Sequence, residues 1–229
     1  IKLSNNRNGC NVAGYMINVL AYADDIVLCA PSWRGLQQLI DLLAIESSNI
    51  DMICNVKKTV CMVFLPRVRD KIISRTFPCF QLDGTPLTFV IDFEYLGHQI
   101  SCDLSDDLDI RREIRNMFLR TNILIRKFVK CSMEVKLLLF RTYCLICLYD
   151  NALWLNHTAG IMCKLQSCYN KCIKLLFGFE RRHSVTRMLL ELGLPSFATV
   201  MHNSKVVFTQ SWVSSGNTIL SHLCSVGIR

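Results

Sequence analysis

The chain has 229 residues, of which 51% are hydrophobic, and a formal net charge of +8. It is long enough to bury a sizeable core in one domain or two. The stretch nearest to a membrane span, 137–155, is interrupted by Arg141 and Asp150, so the composition argues against a transmembrane helix.

Thirteen cysteines are scattered through apolar segments, and no secretory leader is recognisable. An odd number of cysteines in this arrangement is typical of reduced thiols inside a cell. We therefore expect an intracellular protein, in the nucleus, the cytoplasm or both, rather than a secreted protein held by disulfides.

The first predicted element is a β-hairpin. Apolar runs at about 15–22 and 26–30 enclose the sequence Tyr-Ala-Asp-Asp at 22–25, and their composition favours strands. Carboxylates raised on an apolar hairpin call for a cation, and Mg²⁺ is typically held by one or two carboxylates together with substrate phosphates. The pattern predicts Mg²⁺ or Mn²⁺ at Asp24 and Asp25. A solvated turn explains the same dipeptide, since Asp-Asp is common in exposed turns.

A helix and several short strands are predicted next. Ser32 can cap a helix that runs through Ser48, because apolar residues recur there at helical spacing. Asp83-Gly84 is typical of a hairpin turn. The other predicted elements of this half are a strand at 59–64, a basic connector with Arg67, Arg69, Lys71 and Arg75, and strands near 78–82, 87–90 and 95–101. The first half is therefore predicted to be α+β.

From Asp107 onward the pattern becomes helical. A stripe of apolar residues runs from Ile110 to Phe128 at helical spacing. Further helices are predicted at about 134–153 and 161–178, with one or two short ones within 183–229. The second half is therefore predicted to be a helical bundle.

Charge is divided unevenly along the chain. Residues 1–106 contain 9 Lys or Arg against 11 Asp or Glu, whereas residues 107–187 contain 15 against 6. A basic helical face is often merely solvated, but it is also where a phosphate backbone would lie. The residues that we expect to contact such a backbone are Arg111, Arg112, Arg115, Lys127 and Lys130. Contacts of this kind set affinity and register without selecting sequence, and they weaken steeply with salt.

Three short motifs occur in a fixed order. Tyr-Ala-Asp-Asp at 22–25 is followed by Asn-Val-Lys-Lys-Thr at 55–59 and by Phe-Glu-Tyr-Leu-Gly at 93–97. Their order and spacing resemble the catalytic signature, the Asn-x-x-Lys-Thr element and the primer grip of reverse transcriptases from non-LTR retrotransposons. The resemblance extends from about residue 14 to about residue 194.

The resemblance implies roles for the residues of the first two motifs. Asp24 would be the principal ligand of two divalent ions, and Asp25 a weaker ligand or electrostatic support. Lys58 would lie near the incoming triphosphate and donate a proton to pyrophosphate, although a solvated loop explains this lysine equally well. One departure is Asp51, which stands where the family usually has a glycine and is a tolerable left-handed residue.

The resemblance also implies how the fold is divided. Residues 1–103 would be part of a polymerase palm with the catalytic hairpin and primer grip, 104–182 a helical thumb and 183–229 a C-terminal helical tail. Tyr95, Leu96 and Gly97 would steady the primer terminus, and the glycine would let a nucleic-acid strand approach the backbone closely. A simple turn explains that glycine as well.

The function implied is RNA-directed DNA synthesis, in which dNTPs are added to a DNA primer on an RNA template. The family's first metal-binding Asp and its fingers precede the catalytic hairpin, and this chain begins with Ile1. We therefore expect the back half of a longer polymerase that does not polymerise alone. The alternative is a degenerate or co-opted fragment that binds nucleic acid without catalysis. A metal-free interaction protein would leave three ordered motifs unexplained.

One cysteine pattern suggests a different chemistry. Cys144, Cys147, His157 and Cys163 have the ligand order of a zinc knuckle. Knuckles are short and polar, however, whereas this segment is rich in bulky apolar residues. Buried thiols on a helix are the preferred interpretation, and the same holds for the thiols at 168 and 172.

Overall fold

The computed structural model describes residues 7–65 and 77–227, so the basic connector predicted between Arg67 and Arg75 lies outside the described residues. Ten short strands and seven α-helices make up the described part of the chain, which is α+β as predicted. The chain forms two compact units. One comprises the residues up to Asp92 together with those from Gly216 onward, and the other runs from Phe93 to Ser215.

The first unit begins with two consecutive β-hairpins. Strands β1 (Cys10–Val12) and β2 (Tyr15–Ile17) pair antiparallel, as do β3 (Val19–Tyr22) and β4 (Asp25–Leu28). The single strand predicted at 15–22 is therefore wrong: it breaks at the buried Asn18, whose carbonyl accepts a 2.9 Å hydrogen bond from the Cys29 amide. The run is split because its two halves pair with different strands.

Helix α1 (Trp33–Ser48) forms as predicted. The Ser32 hydroxyl accepts a 3.2 Å hydrogen bond from the Gly35 amide, which caps the free N–H groups of the first turn. Leu39 and Ile40 lie on its buried face. The core of this unit consists of Ile40, Cys61, Phe80, Leu82 and Leu87.

Short strands complete the first unit. Strand β5 (Val60–Cys61) pairs parallel with β8 (Thr88–Phe89), and β6 (Gln81–Leu82) pairs antiparallel with β7 (Thr85–Pro86). The Asp83-Gly84 turn is confirmed, with φ of +51° and +73°. The strand predicted at 59–64 is only two residues long. From the C-terminal segment, α7 (Thr218–Ser225) brings the His222 ring to 5.0 Å from the ring of Tyr15.

The second unit begins with strands β9 (Asp92–Tyr95), whose first residue still belongs to the first unit, and β10 (His98–Ser101), which pair with each other. The continuous strand predicted at 95–101 is wrong because the chain reverses at Leu96-Gly97. Both turn residues have positive φ, +49° and +79°. Such a two-residue turn matches the twist of a hairpin, but the left-handed region is unfavourable for leucine.

Helices form the rest of the second unit. Helix α2 (Asp107–Lys127) and α4 (Ala159–Phe177) match the predicted elements. The helix predicted at 134–153 is not uniform: α3 (Met133–Leu139) continues as a π-helical turn at Phe140–Cys144 and a 3₁₀ segment at Leu145–Leu153. At this change the Tyr143 carbonyl accepts a 2.9 Å hydrogen bond from Arg120, so a side-chain donor substitutes for part of the regular helical bonding.

Two more helices, α5 (Val185–Leu192) and α6 (Phe197–Val213), close the second unit. The described part of the predicted tail, 183–227, thus holds three helices rather than one or two, with α7 in the first unit. The largest side chains fully buried in the second unit's core are Ile110, Met117, Phe140, Leu148, Trp154, Leu165, Tyr169, Ile173 and Met188. Within the described ranges, no helix combines the length and the apolar character needed to cross a membrane.

Candidate functional site

The first candidate feature is the tip of the β3–β4 hairpin. Tyr22 and Asp25 are directly opposite each other, so Ala23 and Asp24 form the two-residue turn. Ala23 has φ of +52°, and both carboxylates are exposed. The hairpin predicted from the apolar runs is confirmed, and it carries the Asp pair at its end.

The carboxylate pair supplies oxygen ligands of the kind that Mg²⁺ prefers. Among the described residues no group of three or more His, Cys, Asp and Glu side chains is placed to hold a metal ion. Two carboxylates nevertheless suit an ion whose other ligands are water and substrate phosphates. The donor chemistry of Asp24 and Asp25 therefore fits a weakly held hard cation.

The predicted Lys58 lies in a tight loop of the same unit. The backbone carbonyl of Asn55 accepts hydrogen bonds from the amides of Lys58 and Thr59, and its side-chain oxygen also accepts from the Lys58 amide at 3.2 Å. This arrangement explains the Asn and the Thr of the motif as local turn residues. The Lys58 side chain is exposed, and no ion pair within the described chain joins it to either Asp24 or Asp25.

The second unit contains the predicted primer-grip residues at the turn of the β9–β10 hairpin. A Cβ added to Gly97 would meet no heavy atom within 4 Å, so the glycine is explained by its φ of +79° and not by crowding. Leu96 is 52% exposed despite its apolar side chain. Tyr95, Leu96 and Gly97 thus present an open backbone turn with one exposed apolar side chain.

A groove lies along helices α2 and α4 in the same unit. Its volume is about 800 Å³, and none of the described residues lining it is acidic. Its apolar floor includes Ile114 and Phe118, and the Lys171 ammonium lies 5.5 Å from the centroid of the Phe118 ring. The four cations along it are Arg111 and Arg115 from α2 and Lys164 and Lys171 from α4, all of which are exposed.

The structure separates the predicted cations into different environments. Arg112 does not line the groove: its guanidinium contacts Asp109 and Glu113 at 2.8 Å and Glu94 at 3.4 Å. A cation neutralised by three carboxylates has little attraction left for a phosphate. Lys127 and Lys130 are exposed near the C-terminal end of α2, where cations are favoured by the helix dipole.

Sequence reasoning did not assign Lys164 and Lys171 to the site. Both lie within the helix predicted at about 161–178, but only the packing of α4 against α2 places them along the same groove as Arg111 and Arg115. The seven-residue separation of the two lysines, two helical turns, is the signal that could have placed them on one face.

The cysteines of the predicted knuckle pattern lie in different environments. Cys144 and Cys147 are buried in the core, whereas Cys163 is exposed. Burial raises the pKa of Cys144 to about 11 and that of Cys147 to about 12. Cys168 and Cys172 are buried, which confirms their prediction as small core residues.

Comparison of the chain with protein-family profiles, with curated proteins and with solved structures finds no match.

Proposed function

We propose that the chain is part of an RNA-directed DNA polymerase, similar to the reverse transcriptases of non-LTR retrotransposons. The proposal is supported by three ordered motifs and by the position of Asp24 and Asp25 at the end of a β-hairpin. In this proposal the first unit is part of a palm and the helices of the second unit form a thumb. The intact enzyme would add dNTPs to a DNA primer paired with an RNA template.

The observation that carries the nucleic-acid-binding part of the proposal is the groove along α2 and α4. Four exposed cations along a groove without a described acid create a local positive potential that attracts an anion. An RNA–DNA duplex offers a regular row of phosphates, and contacts to phosphates provide most of the sequence-independent affinity of nucleic-acid-binding proteins. Arg111, Arg115, Lys164 and Lys171 would bind the duplex backbone.

Binding of an RNA–DNA hybrid at several salt concentrations tests this assignment. We expect Arg111→Ala/Arg115→Ala to weaken binding and to reduce the slope of log K against log salt by about 1.5 to 2, because two phosphate contacts are lost. Arg181→Ala/Arg182→Ala is a matched control, since it removes two exposed cations that do not line the groove. Equal effects of the two double variants would mean that cations in the groove contribute no more to binding than exposed cations elsewhere. This result would refute the assignment of the groove as the duplex-binding site.

The proposed role of Asp24 and Asp25 has a separate test. A divalent ion held there would orient the triphosphate and neutralise charge that develops during phosphoryl transfer. Mn²⁺ serves as the probe, since it broadens the NMR signals of nearby amides. In the presence of hybrid and dNTP we expect broadening at residues 23–26, and we expect Asp24→Asn to reduce it. Broadening that is the same in the variant would contradict metal binding by this carboxylate.

A second candidate function is nucleic-acid binding without catalysis. It is favoured by the finding that the described residues bring no third acidic, His or Cys side chain to the Asp pair. Under both candidate functions, the isolated chain should bind an RNA–DNA hybrid through the groove. Mg²⁺-dependent nucleotide incorporation by the purified chain would exclude the second candidate and would also contradict our expectation that the isolated chain does not polymerise.

A further inference from the structure

Asp109 lies at the centre of a buried polar junction in the second unit. Its side chain is fully buried, yet it receives donors from three separate segments. Its Oδ2 accepts from the Trp154 indole at 2.7 Å and contacts the His98 ring Nδ1 at 3.1 Å. Its Oδ1 accepts from the Gln99 amide at 2.9 Å and contacts the Arg112 guanidinium at 2.8 Å.

Two of these contacts come from the strand that leaves the Leu96-Gly97 turn. His98 directly follows Gly97, and Gln99 is the next residue. The other strand of the hairpin is also tied to α2, because Glu94 contacts Arg112. The first turns of α2 therefore hold both strands of the hairpin through charged side chains.

The junction is well suited to fixing a position. A buried carboxylate with two hydrogen bonds and two close contacts to basic side chains is satisfied in one geometry, and a shift of the hairpin would leave a buried charge without these partners. Its place in the first turn of α2 adds a favourable interaction with the helix dipole. Backbone hydrogen bonds between β9 and β10 alone would not fix the position of the turn relative to α2.

We propose that Asp109 is a positioning residue that fixes the Leu96-Gly97 turn relative to α2, the helix that also carries Arg111 and Arg115. The inference rests on the proposed function for its partner, an RNA–DNA duplex that contacts the turn and the helix cations together. Asp109 itself is buried and touches no ligand. It holds the Leu96-Gly97 turn and the cations of α2 in a constant relative position. Less conformational entropy is therefore lost when the duplex binds.

The test compares Asp109→Asn with Asp107→Asn. Asp107 lies in the same helical turn, but its carboxylate accepts from the amide and hydroxyl of Thr158 and not from the hairpin. Amide hydrogen exchange of the free protein is measured over residues 93–101. We expect Asp109→Asn to accelerate exchange there at least tenfold, and Asp107→Asn to leave it within about threefold of wild type.

The second measurement is the protection from exchange that an RNA–DNA hybrid gives. Wild type is expected to be protected both at residues 95–97 and around Arg111. Asp109→Asn is expected to lose the protection at the turn and to keep that at the helix, a separation that general destabilisation would not produce. Should Asp109→Asn not fold, His98→Gln, which replaces only the ring, is expected to give a smaller effect of the same kind.

The outcomes separate the two proposals. Unchanged exchange of the hairpin in Asp109→Asn would overturn the inference, whatever the hybrid does. Failure of wild type to bind hybrid would refute the proposed function, while the exchange of the free protein would still decide whether Asp109 positions the turn. Loss of protection at both sites together in Asp109→Asn would also overturn the inference.

Discussion

The indole N–H of Trp154 donates a 2.7 Å hydrogen bond to Oδ2 of Asp109, although the two residues are 45 positions apart in the chain. Both side chains are buried. Since hydrogen bonds to charged acceptors stabilise more than neutral ones, this contact links α2 strongly to the segment that follows the 3₁₀ turn.

Trp154→Phe keeps most of the buried ring and removes this donor. We expect it to lower the free energy of unfolding by about 2–3 kcal/mol, measured by urea denaturation. Trp33→Phe is the matched control, because the Trp33 indole donates to the neutral, exposed Pro78 carbonyl at 3.1 Å. Its loss should cost only about 1 kcal/mol. Equal losses in the two variants would mean that the charge of Asp109 adds nothing.

Asp109 should also make stability depend on pH. Burial raises its pKa, but hydrogen bonds from His98, the Gln99 amide and Trp154 together lower it below the ordinary value. A carboxyl group with a lowered folded pKa stabilises above its unfolded pKa of about 3.9, and this stabilisation is lost as pH falls through the folded pKa. The stability difference between wild type and Asp109→Asn should therefore be large at pH 7 and shrink below about pH 4.

Glu113 provides a control, because its contribution to stability should change with pH in the opposite direction to that of Asp109. Burial raises its pKa more strongly than Arg112 lowers it. A raised folded pKa means that the contribution of Glu113 is greatest at low pH and declines as pH rises through the folded pKa. The stability difference between wild type and Glu113→Gln should thus fall with rising pH. Curves that rise or fall together for Asp109→Asn and Glu113→Gln would contradict one of the two assignments.

The core of the helical unit should tolerate truncation poorly. Leu165 is fully buried on α4, whereas Leu190 on α5 is 78% exposed. We expect Leu165→Ala to cost about 2–5 kcal/mol of unfolding free energy, because it removes apolar contacts and leaves a cavity. Leu190→Ala should change it by less than about 0.5 kcal/mol. Denaturant unfolding of both variants measures the difference, and similar values would place Leu165 outside the cooperative core.

The cysteines should differ in reactivity. Cys79 and Cys163 are exposed, whereas Cys144 and Cys147 are buried with pKa values raised to about 11 and about 12. The thiolate is the reactive form, so the buried pair should resist alkylation at pH 8 until the protein unfolds. Iodoacetamide labelling followed by peptide mass spectrometry checks this order. Early labelling of Cys144 would show that the core opens easily.

Leu96 should lower the stability of the β9–β10 hairpin but strengthen binding of an RNA–DNA hybrid. With φ of +49° it occupies the left-handed region, which costs an L-residue about 1–2 kcal/mol. Leu96→Gly relieves this strain and should slow exchange of the hairpin amides. If the exposed leucine contacts a duplex, the same change should weaken hybrid binding by about threefold to tenfold. Unchanged binding would remove Leu96 from the proposed primer contact.

Local signals predicted much of the fold. The Ser32 cap and the Asp83-Gly84 turn each depend on chemistry within a few residues, so the sequence was sufficient for them. The left-handed Asp51, with φ of +56°, was expected from the resemblance, because the family usually has a glycine at this position. The break at Asn18 and the reversal at Leu96 were missed because partner choice decided them against the local strand pattern.

The site was predictable to the same degree. The position of the Asp pair at a hairpin tip follows from the two apolar runs on either side of it. Arg111, Arg112 and Arg115 looked equivalent in the sequence, and only tertiary contacts distinguish the ion-paired Arg112 from its neighbours. The hydrogen bond between Trp154 and Asp109 joins residues 45 positions apart, and no spacing rule predicts such a pair.

The Asp109 junction has a consequence for the order of folding during synthesis. The ribosome makes the β9–β10 hairpin and the start of α2 well before it makes Trp154. Until that indole emerges, the Asp109 carboxylate lacks one of its donors. Water then stabilises the carboxylate more than burial in the protein would. The nascent β9–β10 hairpin and α2 should therefore pack only loosely at first. Their native packing should form once the helices from α3 onward have been synthesised.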